Sequence, residues 1–306
     1  MPEPVGFIGL GNLGRQLAAG LVRAGHPLIV HDLDRSAASE LLETGASWAG
    51  SPRAAAAAAS TVVTCLPSPA AVAAVVEGED GVLAGLARGG VWIDASTTDR
   101  NEMRRLAALA AEHGIGCLEA PVTGGVHKAA AAEITVLVGG DEELYRTKLP
   151  LLSALGRPVI RVGPLGSAAL IKVVTNMLAF VHLVAVGEAL MLAKRGRVDL
   201  RTAFEAIRAS SGNSFVHETE SQVILNGSYD IGFTLDLAVK DLGLARQLGV
   251  ELGVPLELAD VVAQRFSRAR EAYGGSAWSP TVVKLLEDEL GEELRAPGFP
   301  PRLGGG

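Results

Sequence analysis

Three glycines near the start of the chain constrain its fold more than any other feature. Gly9, Gly11 and Gly14 have the spacing G-x-G-x-x-G. This motif begins at the end of an apolar run at residues 5–10, and a helical pattern that ends at Gly25 follows it. A glycine turn between a buried strand and a helix is typical of a βαβ unit, in which the two strands are parallel. We therefore predict that the chain begins with an α/β fold.

The same turn has the chemistry of a dinucleotide-binding site. The first glycine permits the tight turn, the second lets a pyrophosphate approach the backbone, and the third lets the helix pack closely on the strand. The start of the helix offers free N–H groups to the phosphates. We predict that Gly9, Gly11, Asn12, Leu13 and Gly14 contact the cofactor. The alternative is a glycine-rich turn with no ligand.

An acidic residue, Asp32, ends the second predicted strand, eighteen residues after Gly14. This is the usual position of the carboxylate that accepts hydrogen bonds from the adenosine ribose. A carboxylate there would repel a 2′-phosphate, so it favours NAD over NADP. Arg35 is close enough in sequence to soften that preference, and NADP is kept as the alternative cofactor. An ordinary turn acid is the other interpretation of Asp32.

Strand-like and helical segments alternate in the first half of the chain, and only helical patterns follow residue 163. The predicted strands are residues 5–10, 28–32, 61–66, 91–94, 117–119, 134–138 and 159–162. We predict an α/β Rossmann domain at residues 1–164, with a mostly parallel sheet and helices on both faces. An all-α domain for substrate binding and dimerisation follows at residues 165–295, and a disordered tail at residues 296–306. His217 falls in a predicted interhelical loop, where a histidine is usually a surface residue.

One charged residue, Lys172, interrupts an apolar helical stretch at residues 170–180. Burying an unpaired ammonium is costly, and burial lowers the pKa of a lysine, so a lysine in such a stretch is a candidate for chemistry. Asn176 lies four residues further on and therefore on the same helix face. The alternative is a lysine whose apolar stem is buried while its head reaches water.

Polar residues follow several predicted strands, at the edge where ligands bind in open α/β sheets. Thr123 offers a hydroxyl, and Gly124 and Gly125 let backbone N–H groups come close to an anion. Together these three would seat a substrate carboxylate. Residues 65–68 and 94–97 also follow strands. Each segment taken alone is more often only a turn.

Five ordered motifs resemble those of the β-hydroxyacid dehydrogenases, a family that includes 3-hydroxyisobutyrate dehydrogenase and tartronate semialdehyde reductase. They are the glycine signature at 6–14, D-x-S-[ST] at 94–97, a P-V-S-G-G-like loop at 121–125, G-x-x-G-x₅-K-x₃-N at 163–176 and F-x₃-L-x₂-K-D-L at 233–242. The likeness extends from about residue 5 to residue 290. It departs at Thr123, where the family has serine, and at Thr175, which replaces the first of two adjacent asparagines.

The resemblance implies an NAD(P)-dependent oxidoreductase with Lys172 as general acid and base. The enzyme would transfer hydride reversibly between nicotinamide and a small β-hydroxyacid. Examples are 3-hydroxyisobutyrate, glycerate (the reduced form of 2-hydroxy-3-oxopropionate) and the hydroxyacid formed by reduction of a related semialdehyde. Asn176 helps to hold the substrate. The other residues assigned through these motifs are Leu66, Pro67, Thr97 and Lys240 for the cofactor, and Ser96, Thr123, Gly124, Gly125 and Lys240 for the substrate.

Two other functions share this architecture. One is imine reduction and the other is a non-catalytic dinucleotide-binding module. Lys172 weighs against both, because imine reductases generally lack a lysine at this position and the non-catalytic relatives have lost it.

Composition argues against several further classes. The net charge of −7 and the lack of a basic cluster argue against a nucleic-acid partner. Polar residues interrupt the most apolar segment, at residues 168–193, which favours a core helix over a membrane span. The two cysteines have neither disulfide nor metal spacing, and no basic region precedes the first apolar run. Both observations predict a cytoplasmic protein without a metal. The apolar helix predicts a homodimer or homotetramer.

Overall fold

The computed structural model describes residues 3–304. Contacts within the chain divide it into two compact units, the first ending at Lys172 and the second beginning at Val173. This division lies eight residues beyond the domain boundary predicted at residues 164 and 165. The difference arises because the long helix at residues 167–195 begins within the first unit. The backbone N–H groups of Ala168 and Ala169, in its first turn, donate hydrogen bonds to Glu119 of that unit.

One sheet organises the first unit. Its strands are β1 (Val5–Ile8), β2 (Leu28–His31), β3 (Ser47–Trp48), β4 (Thr61–Thr64), β5 (Val91–Asp94), β6 (Gly116–Glu119), β7 (Val122–Thr123), β8 (Thr135–Gly140) and β9 (Val159–Gly163). The strand order is β3-β2-β1-β4-β5-β6-β8-β7, and β9 pairs with β8. The antiparallel pairings are those of β8 with β6 and with β7, and β9 runs parallel to β8. The prediction of a mostly parallel sheet is therefore confirmed.

Helices cover both faces of this sheet. They are α1 (Gly14–Arg23), α2 (Ser39–Glu43), α3 (Pro52–Ala57), α4 (Pro69–Glu77), α5 (Val82–Gly85), α6 (Arg100–Glu112), α7 (Val126–Ala130) and α8 (Glu142–Leu155). Successive strand residues point to opposite faces. Accordingly, Phe7 and Val63 belong to one apolar cluster, while Ile8 and Val62 belong to another. A sheet buried on both faces explains why its strands are apolar without alternation.

The second unit is helical and has a core of its own. Its helices are α9 (Ser167–Arg195), which begins in the first unit, α10 (Leu200–Arg208), α11 (Phe215–Asn226), α12 (Leu235–Leu252), α13 (Glu257–Tyr273) and α14 (Lys284–Leu290). By length and composition alone, α9 is the one helix among residues 3–304 that could cross a membrane. Only 33% of its most apolar window is buried.

The segment around His217 differs from the prediction. It is not a loop but the first turn of α11, capped by the Ser214 hydroxyl, which accepts a hydrogen bond from the His217 backbone N–H. The imidazole is fully buried. Its Nε2 donates to the carbonyl of Phe204 at 2.9 Å, and its Nδ1 lies within hydrogen-bond distance of the Ser221 hydroxyl at 3.1 Å. His217 is thus a core residue rather than a surface one.

The C-terminal tail also differs from the prediction. Its described part, residues 296–304, contacts the helices of the second unit instead of being disordered. The Phe299 ring packs edge-on against Phe204, with 5.0 Å between ring centroids. The Asn226 side-chain amide donates to the Phe299 carbonyl at 2.9 Å, and Arg302 pairs with Asp230 at 2.6 Å. An aromatic anchor within a proline- and glycine-rich segment holds this part of the tail in place. Residues 305 and 306 lie outside the described residues.

Candidate active site

The glycine turn has different requirements at each of its three glycines. A Cβ on Gly9, where φ is +97°, would lie 2.3 Å from the Cys65 carbonyl oxygen. A Cβ on Gly14 would lie 2.0 Å from the Gly9 carbonyl oxygen. At Gly11, by contrast, no atom of residues 3–304 other than those of Gly11 and its two chain neighbours lies within 4 Å of that position. The first and third glycines are therefore needed for packing, while the second faces open space that a pyrophosphate could occupy.

The other predicted residues of this turn lie at its rim. The Asn12 side chain is exposed, and its Oδ1 accepts a hydrogen bond from Arg15 at 3.2 Å. Leu13 is half-buried and immediately precedes α1. Both residues therefore flank the free N–H groups at the start of the helix, as a phosphate contact requires.

Asp32 is held against the glycine turn by two backbone hydrogen bonds. Its Oδ2 accepts from the Leu10 N–H at 2.6 Å, and its Oδ1 accepts from the Asp34 N–H at 2.9 Å. Each carboxylate oxygen has a second lone pair, so both can still accept from a ribose hydroxyl. The guanidinium carbon of Arg35 lies 5.7 Å from the centre of the Trp48 ring. This cation–π contact holds the Arg35 charge on an aromatic surface.

A buried carboxylate, Asp94, organises the ends of two neighbouring strands. Asp94 is 1% exposed, and its Oδ1 accepts hydrogen bonds from the Thr64 and Ser96 hydroxyls at 2.7 and 2.6 Å. Thr64 in turn accepts from the Trp92 indole N–H at 3.0 Å. The D-x-S-[ST] motif alone did not predict this role. The network fixes the segment that follows β5, where the predicted cofactor residue Thr97 is half-buried.

Ser96, a predicted substrate-binding residue, makes two hydrogen bonds within the first unit. It is 3% exposed, and its hydroxyl donates to Asp94 while accepting from the Leu66 backbone N–H at 2.8 Å. A hydroxyl has one donor and two acceptor positions, so one acceptor position is left, and substrate binding by Ser96 stays a prediction. The two hydrogen bonds fix the loop at Leu66 and Pro67. Both of those predicted cofactor residues are solvent-accessible.

The predicted substrate loop adopts a conformation that requires its glycines. Thr123 ends β7 and is half-buried, while Gly124 and Gly125 have φ values of +130° and +88°. Such φ values favour glycine. The His127 ring lies 3.1 Å from the place where a Cβ on Gly125 would be. Burial, followed by the charge of Lys128, lowers the pKa of His127, so this ring is neutral at neutral pH.

Lys172 is buried near the start of α9, with 8% of its surface exposed. Asn176 lies one turn further along the same helix and is half-buried. The helix therefore places an ammonium and an amide on one face, as the spacing predicts. In the second unit, a buried carboxylate joins Asn176 to Lys240. The Asn176 amide donates to Asp241 Oδ2 at 2.6 Å, and Lys240 Nζ lies 2.8 Å from Asp241 Oδ1.

The position of Asp241 in the K-D-L motif did not predict its role. Asp241 is 1% exposed and orients two predicted site residues, Asn176 and Lys240. No group of three or more histidine, cysteine, aspartate or glutamate side chains within residues 3–304 could hold a metal ion.

The first unit has the defining features of a dinucleotide-binding domain. A glycine turn with an open second position lies beside a carboxylate at the end of the next strand, at the point where the strand order reverses. Together with the helical unit that carries Asn176 and Lys240, these features define an NAD(P)-dependent oxidoreductase.

Comparisons with known proteins identify the family. Residues 4–163 match the family model described as the NAD binding domain of 6-phosphogluconate dehydrogenase. Residues 166–286 match the family model described as the NAD-binding region of NADP-dependent 3-hydroxyisobutyrate dehydrogenase. The chain belongs to the β-hydroxyacid dehydrogenase family.

Individual relatives cover nearly the whole chain. A 2-(hydroxymethyl)glutarate dehydrogenase of Eubacterium barkeri is 33% identical over 94% of this chain and 96% of that enzyme. The mitochondrial 3-hydroxyisobutyrate dehydrogenase of Rattus norvegicus is 32% identical over 94% and 88%, respectively. A structure of the Mycobacterium tuberculosis 3-hydroxyisobutyrate dehydrogenase with L-serine has a TM-score of 0.83 at 32% identity, covering 94% of this chain and 99% of that one.

Proposed function

We propose that the protein oxidises a small β-hydroxyacid of the form HOCH₂–CHR–COO⁻ to the semialdehyde, and catalyses the reverse reduction, with NAD as its preferred cofactor. The observation that carries this proposal is the buried Lys172, placed one turn before Asn176 on α9. The substrates in the names of the relatives support the substrate class, and a further relative is an NAD-dependent L-serine dehydrogenase. 2-(Hydroxymethyl)glutarate, 3-hydroxyisobutyrate and L-serine share this skeleton and differ only in R.

Lys172 would supply the proton chemistry. The bound nicotinamide supplies the hydride acceptor or donor. In oxidation, neutral Lys172 Nζ accepts the proton of the substrate hydroxyl. In reduction, the protonated Nζ stabilises the negative charge that develops on the carbonyl oxygen and then donates its proton. In general, burial favours the neutral form of a lysine and a nearby anionic substrate favours the charged form. Such proton transfer contributes about 10²–10⁴ in rate.

The remaining residues would bind and orient the substrate. Gly124 and Gly125 present backbone N–H groups to the carboxylate, and Thr123 adds a hydroxyl. The methyl group of Thr123 narrows the site relative to the serine of the family pattern, which favours a small R group. Asp241 fixes the Asn176 amide and balances the charge of Lys240. Lys240 can then contribute a hydrogen-bond donor without adding an uncompensated charge.

Asp32 supports the preference for NAD. Its carboxylate is fixed by Leu10 and Asp34 with acceptor positions to spare, which suits a ribose diol. A 2′-phosphate at the same place would meet an oriented negative charge. Arg35 would have to leave Trp48 in order to neutralise that phosphate.

A homodimer or homotetramer that uses α9 is also part of this proposal. Two thirds of the most apolar window of α9 is not buried within one chain, and Leu178 and Leu192 are 45% and 76% exposed. Exposed apolar surface on this scale is typical of a subunit interface. A second copy of the chain would cover it.

Replacement of Lys172 tests the function directly. The wild-type protein, Lys172→Ala and the control Lys194→Ala, at the far end of the same helix, would be assayed for NADH and NADPH formation with the three relatives' substrates. We expect Lys172→Ala to lose about 10²–10⁴ in kcat, with NADH binding unchanged, and Lys194→Ala to resemble the wild type. Substantial turnover by Lys172→Ala would contradict the role of this residue. Wild-type turnover of cyclic imines only would indicate an imine reductase, and cofactor binding without any turnover would indicate a non-catalytic module.

A further inference from the structure

Glu119, at the end of β6, is a buried carboxylate that the proposed chemistry does not use. It is 1% exposed. Its Oε1 accepts a hydrogen bond from the Ala168 N–H at 2.7 Å, and its Oε2 accepts from the Ala169 N–H at 3.2 Å. The Gly166 N–H also donates to this carboxylate. Glu119 therefore accepts hydrogen bonds from three backbone N–H groups at the start of α9, the helix that carries Lys172.

The surroundings of Glu119 are shaped for its carboxylate. Gly139, on β8, is its cross-strand partner, and a Cβ on Gly139 would lie 2.0 Å from Glu119 Oε1. The first turn of α9 contains no acidic residue of its own. A carboxylate from a distant strand thus takes the place that an acidic side chain of the first turn commonly fills.

Burying the charged carboxylate of Glu119 costs free energy, which a side chain present only to fill space would not require. Burial raises the pKa of Glu119, the three backbone N–H groups lower it, and the negative charge of Asp94 raises it. Asp94 is the cross-strand neighbour on β5 and is itself buried. An apolar or amide side chain would avoid the cost of burying a carboxylate here. The retained carboxylate therefore indicates a task that needs two acceptor oxygens.

We propose that Glu119 is a positioning residue for Lys172. Its two oxygens fix the position and the direction of the first turn of α9 at the edge of the sheet where the cofactor would bind. The Lys172 N–H donates to the Ala168 carbonyl in the regular α-helix, so the backbone of Lys172 is set one turn from the anchored residues. Glu119 is 1% exposed, so in this proposal it acts through the placement of Lys172 rather than by contact with cofactor or substrate. This inference rests on the proposed role of Lys172.

Three substitutions separate positioning from general stability. In Glu119→Gln, the amide NH₂ replaces one acceptor and faces a backbone N–H, so one anchor is lost without a change in volume. Gly139→Ala leaves the charge in place but displaces Oε1 by steric contact. Glu119→Asp keeps both oxygens on a shorter side chain and should restore part of the function. Glu112→Gln, on the exposed face of α6, is the matched control.

We expect Glu119→Gln and Gly139→Ala to lower kcat by about 10–100-fold, because a displacement of about 1 Å in a reacting group has effects of this size. KM for NAD should change by less than about 2-fold, since Gly9, Gly11, Gly14 and Asp32 are not disturbed. Glu119→Asp should retain more activity than Glu119→Gln. Hydrogen exchange at the Ala168 and Ala169 amides should accelerate at least about tenfold in Glu119→Gln, as each loses or weakens its acceptor.

The outcomes distinguish this inference from the proposed function. If Lys172→Ala is inactive while Glu119→Gln keeps wild-type kcat, positioning by Glu119 is overturned and the role of Lys172 stands. A loss of activity that parallels a loss of NADH binding and a lower Tm would also overturn it, because that pattern is purely structural. If the wild-type protein shows no turnover, the proposed function fails. In that case, hydrogen exchange at the Ala168 and Ala169 amides still tests the anchoring role of Glu119. Exchange rates that are unchanged in Glu119→Gln would overturn that role.

Discussion

Glu220, on α11, should make the stability of the protein fall as pH rises from 5 to 8. Within the part of the chain that the structure describes, its Oε2 is inaccessible and has no hydrogen-bond partner. Burial raises the pKa of Glu220 from 4.5 to about 8. The folded protein therefore keeps a proton that the unfolded chain releases. The stability contributed by the protonated carboxyl is complete below pH 4.5 and is lost as pH rises towards 8.

The size of this effect follows from the difference between the two pKa values. One pKa unit corresponds to 1.36 kcal/mol, so the full difference amounts to about 5 kcal/mol of unfolding free energy. The rest of the side chain is only half-buried, and its contact with water reduces the cost of ionisation. We therefore expect about 2–5 kcal/mol. In Glu220→Gln the side chain cannot ionise, so this pH-dependent loss should disappear.

Thermal unfolding between pH 5 and pH 9 tests this expectation. The Tm of Glu220→Gln should rise relative to the wild type as pH increases, by roughly 2–4 °C for each kcal/mol. Glu271→Gln, an exposed residue of α13, is the control and should follow the wild-type curve. Parallel Tm curves for the wild type and Glu220→Gln over this range would refute a raised pKa for Glu220.

Two further predictions concern backbone strain and assembly. Ala132 has φ of +57°, a left-handed conformation that is costly for a residue with a Cβ, so Ala132→Gly should raise the free energy of unfolding by about 0.5–1 kcal/mol in urea titrations. An unchanged or lower midpoint would contradict this. Leu178→Glu should convert the oligomer into a monomer in size-exclusion chromatography with light scattering, because it places a charge on the apolar face of α9. The control Leu33→Glu, at an exposed loop position of the first unit, should leave the oligomer intact. If Leu178→Glu has the same mass as the wild-type oligomer, the apolar face of α9 is not the interface.

Much of the fold could be predicted because its sequence signals are local. Each strand of the sheet core is a short apolar run beside a turn, and the glycine turn fixes how the first strand meets the first helix. Helix α11 could not be predicted in this way, because polar residues such as Thr219 and Ser221 interrupt its apolar positions. Its clearest local signal was Ser214, a residue type typical of a helix N-cap. The burial of His217 follows from that helix.

The partners of the site residues could not be predicted, because they depend on sheet order. The hydrogen bond between Ser96 and Leu66 joins residues thirty positions apart, and Glu119 reaches Ala168 over forty-nine positions. Sequence places such residues at the ends of strands but does not say which side chains they meet. For that reason the motif at residues 94–97 suggested a substrate contact at Ser96 but not the two hydrogen bonds that its hydroxyl makes within the first unit.

Buried carboxylates become informative once their donors are known. Glu287 is 2% exposed, yet it binds the Leu294 N–H and Arg295, and so fixes the C-terminal segment. Burial of an acid therefore does not by itself mark a functional site. Asp94, Glu119 and Asp241 differ because their donors lie in the segments that carry Leu66, Lys172 and Asn176. Each lies one hydrogen bond, or at most one helical turn, from a predicted site residue. These three buried carboxylates thus place groups that the proposed reaction uses. Because Glu119 anchors the turn before Lys172 and anchors no predicted cofactor residue, we expect its substitution to affect kcat before it affects cofactor binding.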